Sequence, residues 1–206
     1  MTATAPAPDS PLERATAAIL AIASRVPATR EPRSADPDAR AGAIASSAKR
    51  RTAAISAAAA LPPGPIGWLT LLPEAVAIWR VQSMMVADIA GAYGQADALT
   101  QELMLHCLFR HSAAHAVGGL AVRAGERLLV RTASYRTLQP IARAVAGRIA
   151  RRTVARGVAR WVPGLGSVAI GVYAWRDTAQ VARTAIEAFS HDIGRSAEPA
   201  TIDADA

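Results

Sequence analysis

The chain has 206 residues, enough for one domain with a substantial core, and a formal net charge of +7. About a quarter of it is Ala and only 4% is aromatic, which favours helix because alternating strand patterns are almost absent. A single cysteine, Cys107, excludes an intrachain disulfide and fits a reducing compartment. No run of about 20 uninterrupted apolar residues occurs, which argues against a standard membrane-spanning helix.

The first predicted element is a helix from Ser10 to about Arg25. Ser10 is a favourable cap, a proline follows it in the first turn, and Glu13 stands three residues after the cap. Residues 26–38 hold three prolines and read as a linker. We therefore expect residues 1–37 to form an N-terminal helix and a Pro-rich linker, both partly disordered.

Two long helices separated by a proline-rich elbow are predicted next. The first covers about residues 39–61 and is stopped by the prolines of residues 62–65, which cannot supply helix donors. The second begins near Pro73, a residue suited to a first turn, and continues to about Tyr93. Gly94 is expected to end it as a left-handed cap.

The elbow and its flanks are strongly apolar. Between Thr52 and Ile78 only Glu74 is charged, and four prolines divide the run. Such an elbow either enters the lipid interface, where Trp68 would suit it, or is buried inside a helical bundle. The sequence leaves both possibilities open.

Further helical segments are predicted in the second half, over about residues 100–120, 122–135, 141–162 and 167–193. A second Pro/Gly elbow, residues 163–166, precedes the last of them. The predicted fold class is all-α, a helical bundle built from apolar helical hairpins with Pro/Gly elbows. Its helical domain is expected to span residues 38–194, and residues 195–206 are expected to be a disordered tail.

The dipeptide Trp-Arg occurs in two apolar helices, at residues 79–80 and 175–176. Aligning them predicts two hairpins packed in pseudo-symmetry, with chance similarity of Ala-rich helices as the alternative. Asp88 and Asp177 follow in the same helices, where an ionised carboxylate needs a partner. The neighbouring arginines are expected to pair with them.

Positive charge is pooled between Leu120 and Trp161, where ten arginines accompany one acid, Glu126. A basic amphipathic helix ending in Trp161 is indicated there, because apolar residues lie opposite a series of arginines four residues apart. Each basic residue near anionic lipid contributes about 1 kcal/mol. The predicted lipid- or anion-binding residues are Arg123, Arg127, Arg131, Arg148, Arg152, Arg156, Arg160, Trp68 and Trp161.

Two other readings of the arginines remain open. They form a solvated helix face, or they bind nucleic acid, the less favoured partner because no binding motif is present and aromatic residues are scarce.

A possible metal site is suggested by Cys107, His111 and His115, which stand four residues apart on one helix face. They are weak candidates, because the outer pair lies about 12 Å apart and no metalloprotease motif accompanies them. A metal-dependent enzyme is thus a further alternative. No catalytic motif is found, so we predict a protein that is not an enzyme and has no cofactor.

The runs PPGPIGWLTLLPEAVAIWRVQSMMVADIAGAYG, LTQELMLHCLFRHSAAHAV and WVPGLGSVAIGVYAWRDTAQVARTAIEAF together resemble the EcsC-like bacterial family. They also look like the hydrophobic C-terminal domains of some bacterial GTPases. The likeness covers about residues 39–189. It implies a helical, membrane-associated accessory protein without an assigned reaction.

We therefore expect a non-enzymatic accessory or scaffold protein that docks on anionic lipid through its basic amphipathic helix and apolar elbows. Its expected location is cytoplasmic, peripheral or shallowly inserted at the inner membrane. A membrane protein complex is a further possible partner, and the sequence does not fix the oligomeric state.

Overall fold

The computed structural model describes residues 11–23, 25–59, 67–117, 121–124, 127–131, 139–144, 146–147 and 165–196. Its helices are α1 (Pro11–Ala23), α2 (Pro37–Ala59), α3 (Gly67–Ala92), α4 (Gln101–Val117), α5 (residues 139–144 and 146–147) and α6 (Leu165–Phe189). A short 3-10 turn, Ala96–Ala98, lies between α3 and α4. The predicted all-α fold class is confirmed, since helices supply nearly all buried apolar residues of the described part.

The core is built around α3, which packs against α1, α2, α4 and α6. Trp79 of α3 meets Phe109 of α4 edge to face, with ring centroids 5.7 Å apart. Met85, Ile89 and Phe189 are among the largest fully buried side chains. Burying each such side chain contributes about 1.5–3 kcal/mol, so apolar packing around α3 is the main source of stability.

The two ends of α3 differ in how well the sequence predicts them. The start predicted at Pro73 is wrong, because α3 begins at Gly67 and contains that proline. Proline has the φ that a helix needs, and although Pro73 removes one backbone donor inside the helix, α3 continues through it. The cap predicted at Gly94 is confirmed: its φ is +71°, and its N–H donates to the Gly91 carbonyl.

The segment 25–36 has no regular secondary structure and lies against α3. Thr29 Oγ1 donates a 2.7 Å hydrogen bond to Asp88 Oδ1, and the Ser34 N–H donates to the Ala92 carbonyl at 2.9 Å. These bonds satisfy a carboxylate of α3 and a carbonyl at its C-terminal end. The proline-rich segment therefore covers part of the bundle.

The helix predicted over residues 122–135 is wrong, because two antiparallel strands lie there, β1 (Ala121–Ala124) and β2 (Arg127–Arg131). Two residues separate them, the commonest length of a hairpin connection. A third strand, β3 (Asp192–Ser196), pairs in parallel with β2 beyond the end of α6. The four-residue arginine spacing mimics a helix, but Leu-Leu-Val between the arginines of β2 also suits a strand.

Candidate functional site

A polar cluster joins three helices inside the bundle. The amide of Gln82 (α3) donates to Asp177 Oδ2 at 3.0 Å and to Thr178 Oγ1 at 3.2 Å, both on α6. The hydroxyls of Thr178 and Thr52 (α2) share a 2.9 Å hydrogen bond. Gln82, Thr52 and Thr178 are buried, so this pairing avoids the cost of leaving polar groups unsatisfied.

A histidine of α4 extends the cluster to a fourth helix. His111 Nε2 lies 2.8 Å from Asp177 Oδ1, and the two side chains are 12% and 23% exposed. His111 Nδ1 is buried and has no hydrogen-bond partner among the described residues. A carboxylate that orients an imidazole is an arrangement found in catalytic acid–base pairs. Here the other ring nitrogen, Nδ1, is enclosed and cannot reach a substrate. The contact therefore has a structural role and links α4 to α6.

The structure gives both aspartates partners that the sequence did not indicate. Asp88 accepts from Thr29, and Asp177 accepts from Gln82 and faces His111. The arginine partners expected from the sequence lie in the same helices as the aspartates, whereas these partners come from other segments. The polar side chains of Gln82 and His111 within apolar helices were a signal for the partners of Asp177, and nothing in the sequence pointed to Thr29.

The structure describes the side chains of two of the three predicted metal candidates, Cys107 and His111. Cys107 is fully buried, and burial raises the pKa of its thiol to about 12, so it stays protonated at neutral pH. His111 faces Asp177, and for His115 only its place in α4 is described. Among the residues the structure describes, no group of three His, Cys, Asp or Glu side chains is placed to hold a metal ion.

The first half of α6 carries an exposed apolar stripe. Val168, Val172 and Trp175 follow one another at spacings of four and three residues and are 65%, 51% and 43% exposed. That spacing places all three on one side of a helix. Gly171 and Ala174, between them, are buried instead, so the stripe is the outward face of a helix that packs on α2 with its other side.

A groove of about 640 Å³ between α2 and α6 adjoins this stripe. Lys49 Nζ lies 4.9 Å from the centre of the Trp175 ring, a cation–π contact at one end of the groove. Arg176 and Arg183 also line it, and none of its described lining residues is acidic. The stripe and the groove together give this side of the bundle an apolar, aromatic and positively charged surface. We call them the α6 face.

The predicted lipid-binding residues fall in three places. Trp68 lies in α3. Five predicted residues lie outside the described part of the chain, namely Arg148, Arg152, Arg156, Arg160 and Trp161. Arg123, Arg127 and Arg131 belong to strands, so they do not share a helix face. In the register of β1 and β2, Arg123 is the partner of Leu128. Position 128 alternates along β2 with positions 127 and 131, so Arg123 is not in register with either arginine of β2.

The α6 face is not predicted from the sequence as a site. The pattern of the sequence indicates Trp175 and Arg176 only as the second Trp-Arg dipeptide, and it gives Lys49 no role. The usable signal was the spacing of the apolar residues 168, 172 and 175, which places them on one side of a helix.

No family model, curated protein or solved structure matches the chain. Within the described ranges, every helix is too short or too polar to cross a membrane.

Proposed function

We propose that the protein is a non-enzymatic accessory or scaffold protein that docks peripherally on anionic lipid at the cytoplasmic side of the inner membrane. The observation that carries the proposal is the exposed apolar stripe of α6 beside a cationic groove. Moving exposed Val and Trp side chains from water into the lipid interface lowers the free energy, and Trp favours that interface in particular. The adjoining cations attract lipid phosphates.

The expected binding strength follows from the same residues. Each of Lys49, Arg176 and Arg183 contributes about 1 kcal/mol at an anionic surface. Full burial of a Val side chain adds about 1.5–3 kcal/mol, and shallow insertion adds part of that. The sum suits reversible, salt-sensitive binding rather than permanent insertion.

Two sequence-based predictions point the same way and remain predictions. The arginine series from Arg148 to Arg160 would enlarge the basic surface, and the resemblance to the EcsC-like family implies membrane association. The proposed docking through the α6 face stands without either of them, because it rests on exposed side chains of α6 and α2.

Flotation with lipid vesicles tests the proposal. The purified protein is mixed with phosphatidylcholine vesicles that contain none, one tenth or one third phosphatidylglycerol. We expect binding to rise with anionic content and to fall at high salt. The double substitution Val172→Ser with Trp175→Ser should weaken binding at least about tenfold, since every 1.4 kcal/mol lost is a factor of ten.

Met84→Ser is the matched control, because Met84 is an exposed apolar side chain of α3 outside the α6 face. It should leave vesicle binding unchanged. Binding that ignores anionic content, or that falls equally with Met84→Ser, would contradict docking through the α6 face. Retention of DNA or RNA with a steep salt dependence, and no flotation, would favour the nucleic-acid alternative.

A further inference from the structure

The groove of the α6 face owes its shape to small residues. Its lining includes Gly42 and Ala45 from α2, and Ala179 and Ala182 from α6. The two helices run antiparallel, since residue 52 contacts residue 178 while residue 53 lies near residue 171. Small side chains along facing ridges leave a channel at the surface, bordered by the longer side chains on either side.

The border of the groove is rich in hydrogen-bond donors. Arg176 and Arg183 stand two turns apart on α6, about 10.5 Å along the axis, with Gln180 between them. Ser46 and Lys49 line the opposite side on α2. Guanidinium groups bind phosphate oxygens through paired N–H donors, and a Lys ammonium adds a point charge.

We propose that this groove binds a phosphate monoester, the headgroup of a lipid such as phosphatidic acid; the lipid source rests on the docking proposed above. Three cations and no acid among the described lining residues suit a ligand of charge near −2. A phosphate monoester carries about −1.5 to −2 at neutral pH, whereas a diester carries −1. The monoester also offers a third free oxygen to the surrounding donors.

The position of the groove agrees with a lipid-borne ligand. Trp175 lines the groove and also belongs to the exposed stripe, so a headgroup in the groove would place its acyl chains beside Val168 and Val172. The cation–π contact with Lys49 holds that ring against the groove. One surface thus serves both ends of the same lipid.

Vesicles that contain phosphatidic acid or phosphatidylglycerol, adjusted to equal zeta potential, test the preference. We expect at least about tenfold tighter binding to phosphatidic acid. Gly42→Leu should abolish that preference without removing a charge, because a Cβ at Gly42 meets no atom within 4 Å and the longer side chain would occupy the groove. Arg183→Gln should reduce it as well.

Arg50→Gln is the control, since Arg50 is exposed on α2 but does not line the groove. It should lower binding to both lipids alike and keep the preference. Titration calorimetry with glycerol 3-phosphate and with dimethyl phosphate forms a second arm without lipid. Only the monoester should bind, and Gly42→Leu should remove its heat signal.

The outcomes separate the two proposals. Equal binding to both lipids, with no glycerol 3-phosphate binding, would overturn the groove and leave membrane docking intact. Binding of glycerol 3-phosphate without any vesicle binding would overturn the docking and keep the groove as a site for a soluble phosphate ester. A preference that survives Gly42→Leu would overturn the assignment to this groove.

Discussion

The same dipeptide, Trp-Arg, meets opposite surroundings in α3 and α6. Trp79 is 6% exposed and packs on Phe109, whereas Trp175 is 43% exposed and contacts Lys49. The arginine that follows is exposed in both helices. Four helices and the segment 25–36 contact α3, while α6 leaves the outward stripe of its first half uncovered.

A local motif sets which side of a helix a residue occupies, whereas the neighbouring helices set whether that side is buried. The indole of α3 is a core residue because α4 lies over it. The indole of α6 has no helix over it in the described part of the chain, which makes it available to a partner.

Replacing each tryptophan by Ala should give the largest contrast. We expect Trp79→Ala to lower the free energy of unfolding by about 3–5 kcal/mol, because it leaves a large cavity in the core. Trp175→Ala should cost less than about 1 kcal/mol. Urea unfolding of both variants measures this, and equal losses would show that the α6 face is covered.

A glycine in each helix tests how closely its neighbours approach. A Cβ at Gly91 of α3 would lie 2.6 Å from the Glu31 carbonyl oxygen, so the segment 25–36 must move. Gly91→Ala should therefore cost about 1–3 kcal/mol. At Gly171 of α6 the nearest atom is 3.3 Å away, the Ala53 carbonyl oxygen, and the helix gain of about 1 kcal/mol should offset the crowding. Thermal unfolding that ranks Gly171→Ala as the more damaging would contradict this contrast.

Adjacent residues of α6 separate its inner side from its outer side. Asp177→Ala removes the partner of Gln82 and His111 and should cost about 1–3 kcal/mol. Arg176→Ala, on the exposed side, should change stability by no more than about 0.5 kcal/mol. Comparing the urea midpoints of the two variants is sufficient, and a reversed order would place Asp177 outside the stabilising cluster.

The smallest expected effect is spectroscopic. Trp175→Phe should remove more acrylamide-quenchable fluorescence than Trp79→Phe, because its ring is the more accessible of the two. Trp68 and Trp161 are present in both variants, so their comparison isolates residue 175. Anionic vesicles should reduce quenching more in Trp79→Phe, which retains Trp175, than in Trp175→Phe. An equal reduction in the two variants would contradict lipid contact at this ring.

Features set by neighbouring residues could be predicted from the sequence. The helical class follows from Ala content and proline position, and the cap at Gly94 follows from the need for a positive φ. The site was predicted less well. The four-residue spacing of the arginines in β1 and β2 predicts a helix, but residues four apart also lie on one face of a strand. The pairing of β2 with β3 joins residues about 65 positions apart, so no local pattern indicates it.

The sequence alone indicates a mainly helical chain and shows that Cys107 has no disulfide partner in the chain, because helix propensity is a local property and there is a single cysteine. Tertiary packing is what places His111 against Asp177, 66 residues away, and what buries Trp79 while Trp175 is exposed. The reason is physical: burial and pairing depend on which helices pack together, and that choice sums contacts over the whole chain.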